Sequence, residues 1–329
     1  MLQKPVLPRS GWGCCAGSAG PRAIVVGAMR TLLLGDALVD LICEAHVASI
    51  SDARAFVPHV GGAVANVAVG AARQGADVAL AGGAGADAWG GWLRDRLEAE
   101  GVGLGWFGLH AHVATPVSFV TVGESGAGGS TLYGDALPAV VAALGDRLLA
   151  AVDQCDALYL TANTLADEPG RALTIAARDR ALAADQPVIF DPRLELDRWD
   201  SPGRAAGEAR DLVKGAFLVA CTRHEARLLS GEDDPAAAAE GLLAMGARHV
   251  LVRGAGGGAL LRGGGLRGDV RASAPADRIV SAVGTDDAFM AVVLGRLAAT
   301  GFYPPAIVAA LRDAVEEAAR SLGRWGALA

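Results

Sequence analysis

An α/β sandwich is the fold that this 329-residue sequence predicts: a mostly parallel central sheet between helical layers, with a small β lid. Three observations predict it. Short runs that are apolar on both faces recur along the chain, as strands covered on both sides require. Stretches with helical spacing separate them, which implies right-handed crossovers and a parallel sheet. Two segments break the alternation and read as strands outside the main sheet.

The elements follow in order. Residues 1–28 are rich in Gly, Pro and Ser, lack periodicity and read as a disordered leader. Arg22, Arg30 and Asp36 interrupt the apolar stretch that a secretory signal would need, and no run reaches the length of a membrane span. Met29 directly precedes the first strand-like run, so a natural start there is expected, with one domain over 29–329. The strands are "TLLLGD", "DVALAGG", "ALYLT", "PVIFD", "FLVAC" and "HVLVRG". Helical spacing marks Val64–Gln74, Ala88–Glu100, Ala139–Val152, Pro169–Ala184, Arg223–Leu229 and Pro235–Met245. The segments expected in the lid are residues 41–57 and 110–133; the second carries alternating strand patterns around a glycine-rich turn. His110 and His112 would share one face of a lid strand, an exposed strand reading being favoured over a metal pair. "RGGGLRG", Arg262–Gly268, reads as a hairpin turn.

Composition narrows the function. Hydrophobic residues make up 52%, enough for a sizeable core. The net charge of −7 comes without a basic stripe, which argues against nucleic acid and against a polybasic membrane patch. Cys14, Cys15, Cys43, Cys155 and Cys221 are odd in number and fit neither a disulfide framework nor a zinc site. They read as reduced thiols in a cytoplasmic protein.

Three constellations carry chemistry. In "LLLGDALVDLI", Asp36 and Asp40 follow the end of the first strand, where ligands of open α/β sheets bind and where a carboxylate can hold hydroxyls. For Asp36 alone a turn is the simpler reading. In "HVGGAVANVAVGAARQGA", Gly61 and Gly62 permit close backbone approach and then open a helix. Asn66 lies one turn into it, on an Ala/Val surface, and needs partners that a polyol or neighbouring backbone would supply. In "SAVGTDDAF", Gly284 turns into a helix whose first amides lack partners and attract anions. Asp287 stands in its first turn, the layout for taking a proton from an alcohol as a phosphoryl group arrives.

"GGAVANVAVGAARQGA" resembles the first signature of the ribokinase-like sugar kinases, the pfkB family, and "VGTDDAF" resembles a variant of the second. The order "GDALVD", "FDP", "CTRHEARLLSGEDD" and "GTDDAF" is similar too, from about Arg30 onward, on the bacterial-fructokinase side of the family. The resemblance implies a ribokinase-like αβα sandwich and transfer of the γ-phosphate of ATP to a sugar hydroxyl. It implies that Asp36, Asp40, Gly61, Gly62 and Asn66 hold the sugar, that Asp287 is the general base, and that Gly284, Thr285 and Asp286 form the anion hole. Thr222, Glu225, Arg253, Gly256 and Gly258 would serve nucleotide and magnesium. ATP and Mg²⁺ are the implied cofactors, with no metal held directly by the protein. A monovalent cation near the nucleotide loop and a homodimer joined through the lids are further family expectations.

The departures from the pattern concentrate on the phosphate side. The family reads D-T-x-G-A-G-D where this chain has Ser281 to Asp287, so Thr285 and Asp286 stand for Ala and Gly. Thr222 stands for Asn three places before the acid, Arg253 and Ala255 for the T and G of T-x-G, and Arg193 for Asn after "FDP". Asp286 places a negative side chain toward phosphates, although Asp also caps a helix start favourably. An alternative reading is therefore a pseudokinase that keeps a sugar pocket and acts in binding or regulation; a second alternative is a nucleoside kinase.

Overall fold

The computed structural model describes residues 29–254, 258–271 and 279–328. The expected leader, residues 1–28, and the nucleotide-loop residue Gly256 lie outside the described residues.

Thirteen strands and ten helices are described. β1 (Thr31–Leu34), β2 (Leu38–His46) and β3 (Val57–Gly61) precede α1 (Ala63–Arg73), β4 (Val78–Gly85), α2 (Ala88–Ala99) and β5 (Gly103–His110). β6 (Val117–Val122) and β7 (Gly128–Tyr133) follow, then α3 (Leu137–Leu144), α4 (Asp146–Asp153), β8 (Ala157–Leu160), α5 (Glu168–Ala183) and β9 (Val188–Phe190). Next come α6 (Pro202–Arg210), β10 (Leu218–Thr222), α7 (Arg223–Ser230), α8 (Pro235–Ala244), β11 (Val250–Arg253), β12 (Ala259–Gly263) and β13 (Leu266–Val270). α9 (Thr285–Ala299) and α10 (Pro305–Ser321) complete the order.

The main sheet runs β13-β12-β11-β10-β9-β8-β1-β4-β5, parallel except for the β11-β12-β13 edge. β1 explains why its strands read as unbroken apolar runs. Leu33 points into one core, with residues of α1, α9 and α10, while Leu32 and Leu34 point into the other, with residues of α3 to α8. Both faces are dry, so no polar alternation survives.

A second sheet, β3-β2-β6-β7, forms the lid. Its outer pairs are antiparallel and its central pair, β2-β6, is parallel. Ile42, Val120 and Val122 anchor it, packed against Val283 and Trp325. The lid thus rests on the segment leading into α9.

Several expectations need correcting. His110 ends β5 of the main sheet and His112 lies in the turn beyond, so the two do not share a lid strand; the lid hairpin begins only at Val117. The first lid strand starts at Leu38, which places Asp40 on the lid itself. The helix expected over Ala139–Val152 is two, α3 and α4, because Gly145 breaks it with φ +49°. "RGGGLRG" is indeed the β12–β13 hairpin. Cys43, Cys155 and Cys221 are buried and free.

Candidate active site

α1 and α9 pack side by side and begin at the same place, beyond the carboxyl ends of the central strands. Both are opened by a glycine with positive φ, Gly62 at +92° and Gly284 at +79°. A Cβ on Gly284 would overlap Cβ and Cα of Ala327. Gly284→Ala is therefore expected to cost roughly 1–3 kcal/mol from backbone strain alone, with the overlap adding to it. A denaturant melt checks this.

Between the two helix starts and the lid lies a cleft of about 440 Å³. The sequence-predicted residues Asp36, Asp40, Gly62, Asn66 and Asp287 all line it, as do Gly284, Thr285 and Asp286. Ser118 and Ser130 reach it from the lid. Gly61 supports the cleft from behind: a Cβ there would press on the Asp40 carboxyl at 2.5 Å.

Asp36 is buried and caps α1, accepting from Ala63 N through Oδ2 at 3.0 Å, while its Oδ1 has no partner. Burial, then the neighbouring Glu195 carboxylate, push its pKa up to about 6. Asp40 rises to about 7, through burial and then the carboxylates of Asp287, Asp36 and Glu195.

Asn66 turns its Nδ2 to Asp287 Oδ2 at 2.9 Å, leaving Oδ1 unpartnered. Asp287 Oδ1 meets Arg193 Nη1 at 2.6 Å. Burial raises the Asp287 pKa, and Arg193 and Asn66 pull it partway back.

Arg193 belongs to a buried ion network that joins three strand and helix ends. Asp191, after β9 and wholly buried, accepts from Tyr159 Oη (2.6 Å), Arg193 Nε (2.8 Å) and Arg253 Nη2 (2.9 Å). Burial works against its charge, but the two guanidiniums outweigh it and hold the carboxyl below the ordinary range. Arg253, at the end of β11, also meets Asp286 at 3.2 Å. The unusual residues of the phosphate side thus pair in space: Arg253 with Asp286, and Arg193 with Asp287. Arg193 adopts φ +49°, a left-handed conformation that Asn tolerates better than Arg. Two ion pairs hold it there.

The arrangement has polar capacity to spare at both ends. At the α9 end, the amides of Asp286 and Asp287 have no intrahelical acceptor, and Nη2 of Arg193 and Nη1 of Arg253 are buried without partners. Such donors fit a phosphoryl group. Asp286, about half exposed and tied to Arg253, is the opposing charge.

Other expected site residues sit elsewhere. Thr222 and Glu225 form a capping box at the start of α7. Glu225 N donates to Thr222 Oγ1 at 3.2 Å, and Glu225 Oε2 accepts from Thr222 N at 2.7 Å. Glu225 Oε1 accepts from Leu194 N at 3.0 Å, so it braces the Arg193 turn and does not line the cleft. Gly258 O, just before β12, accepts from Gly254 N at 2.8 Å. Among the described residues no cluster of three or more His, Cys, Asp or Glu side chains could hold a metal ion.

Sequence reasoning assigned no role to Asp191, Arg193, Glu195 or Tyr159. Asp191 stood in the quoted "FDP" and Arg193 stood out as a departure; Glu195 gave no signal.

The chain matches the pfkB family carbohydrate kinase over residues 30–327. It is 32% identical over 277 residues to the fructokinase of Klebsiella pneumoniae, covering 82% of this chain and 84% of that protein. A structure of fructokinase with bound ATP from Xylella fastidiosa superposes with a TM-score of 0.76 at 25% identity, covering 91% of this chain and 94% of that one. The match to probable fructokinase-7 of Arabidopsis thaliana, 27% identical over 201 residues, spans 61% of this chain and 59% of the plant protein.

Proposed function

Because the chain belongs to the pfkB family of carbohydrate kinases, we propose that it transfers the γ-phosphate of ATP to a hydroxyl of a sugar, fructose being the first candidate. The observation that carries this reading is the placement of Asp287. It lines a 440 Å³ cleft, beside donors suited to a phosphoryl group and beside acceptors suited to hydroxyls.

In this reading Asp36, Asp40 and Asn66 accept hydrogen bonds from the sugar, and Ser118 and Ser130 add hydroxyls from the lid. Asp287 takes the proton of the attacking hydroxyl at a carboxylate oxygen. Burial makes it a better base than an exposed aspartate, and the Arg193 and Asn66 bonds fix its orientation. The α9 amides with Arg193 and Arg253 would hold the transferred group. When bound, ATP supplies the phosphoryl group, and magnesium arriving with it spreads the charge. The lid strands wall one side of the cleft, which limits the water that reaches a bound sugar.

A second reading, a sugar-binding protein without phosphoryl transfer, is favoured by one observation. The two guanidiniums at the phosphate end are already committed to carboxylates. Removing Asp286 separates the readings. At about 4 Å, like charges cost on the order of 1 kcal/mol in water and 4 at an effective dielectric of 20. Asp286 is half exposed and paired, so the lower figure applies. Thr285→Ala/Asp286→Gly is expected to tighten ATP binding by about fivefold. ADP release against hexoses, pentoses and nucleosides, by both proteins, is the test. Turnover by the unmodified chain discards the second reading; sugar-induced thermal stabilisation with no ADP release discards the first.

A further inference from the structure

Away from the α9 helix start, the cleft is short of positive charge. Five carboxylates line it, Asp36, Asp40, Glu195, Asp286 and Asp287, against one guanidinium, Arg193. Three of the five have a cationic partner: Asp286 has Arg253, Asp287 has Arg193, and Glu195 has Arg198 at 2.6 Å. Among the described residues Asp36 and Asp40 form no ion pair. Arg198 is near enough to favour the Asp36 charge but is bonded to Glu195 and Asp135.

Two of the residues that line it also hold buried acceptors. Oδ1 of Asp36 and Oδ1 of Asn66 are unpartnered, in side chains whose residues are 6% and 4% exposed. A buried acceptor left open is costly, so each asks a ligand for a donor. A hydroxyl brings one donor but also acceptor lone pairs. A primary ammonium brings three donors, no acceptor, and the missing charge.

We propose that the cleft prefers a polyhydroxylated ligand bearing a primary ammonium, seated on Asp36 and Asp40, over its neutral counterpart. This rests on the sugar-kinase reading above and names the chemistry of its acceptor. The ammonium lies at the Asp36–Asp40 end, leaving the hydroxyls toward Asp287. The crowding that keeps Asp40 protonated up to about pH 7 supports it, because a cation there relieves the repulsion from Asp287, Asp36 and Glu195. Binding then releases protons.

The test is isothermal titration of the full chain without nucleotide, near about pH 7, where the amine is charged. 1-Amino-1-deoxy-D-fructose is compared with D-fructose, D-glucosamine with D-glucose, and N-acetyl-D-glucosamine serves as the masked amine. Each amine is expected to bind about tenfold tighter than its neutral partner, with the gain lost on acetylation. Buffers of different ionisation heat should reveal proton release with the wild-type chain alone. In Asp40→Asn the tenfold gain of amine over neutral sugar should shrink toward unity, while a urea melt that overlays the wild type reports that the variant is folded. Equal or tighter binding of the neutral sugars, or a gain that survives Asp40→Asn, overturns the ammonium preference. If neutral sugars alone bind and are phosphorylated, the preference fails and the kinase reading stands. If no sugar binds, both fail.

Discussion

Asp287→Asn is expected to lower kcat by about 10²–10⁴, while sugar binding changes little. The amide keeps the shape of the carboxylate and can still meet Asn66, but it cannot take the proton of the attacking hydroxyl. The Arg193 ion pair sharpens the expectation. Loss of the Asp287 charge leaves Arg193 with Asp191 alone, free to turn toward a phosphate. Nucleotide affinity should therefore hold or rise as turnover falls. ADP release measured beside equilibrium nucleotide binding separates the two effects. A parallel loss of turnover and of sugar binding would instead mark Asp287 as a sugar-holding residue.

Asp191→Ala is expected to be the most damaging change to the fold at this site, costing about 3–5 kcal/mol. Asp191 is fully buried and satisfies two guanidiniums and the Tyr159 hydroxyl at once. Its removal leaves Arg253 with only the half-exposed Asp286, and Arg193 with only Asp287. The pH dependence follows from the same contacts. The folded pKa of Asp191 lies below its unfolded value, so its contribution is present above the ordinary carboxylate range. It is lost as pH falls through the depressed folded value. Urea unfolding of wild type and Asp191→Ala should converge in strongly acidic buffer and diverge toward neutrality. A constant difference would show that Asp191 acts through packing.

Most of the sheet was legible because buried strands such as β1 and β11 are apolar on both faces and short. α10 was equally legible: Ile307, Leu311 and Val315 recur at helical spacing, yet the expected element list stopped before it. The division between α3 and α4 could not be read from periodicity, because both halves carry helical spacing and only the backbone at Gly145 separates them. His110 misled because the lid and the β5 edge meet in sequence. Asp36, Asp40, Asn66 and Asp287 stood out individually as acids or an amide in apolar surroundings, and the fold brings them to one cleft.

The ion network was not legible. Arg253 reaches Asp191 across 62 positions, and Asn66 reaches Asp287 across 221. A lone sequence gives each odd residue of the phosphate side separately. Only their placement turns Asp286 and Arg253 into a pair, and Arg193 from a departure into a clamp on Asp287. That pairing changes how the extra aspartate acts: its charge is answered locally and does not face the phosphate site alone.

The most direct measurement is transfer of radiolabelled γ-phosphate from ATP to a sugar that the full chain has been shown to bind. The account predicts labelled sugar phosphate from the unmodified protein and almost none from Asp287→Asn. A chain that binds the sugar and ATP together yet transfers no label would contradict it.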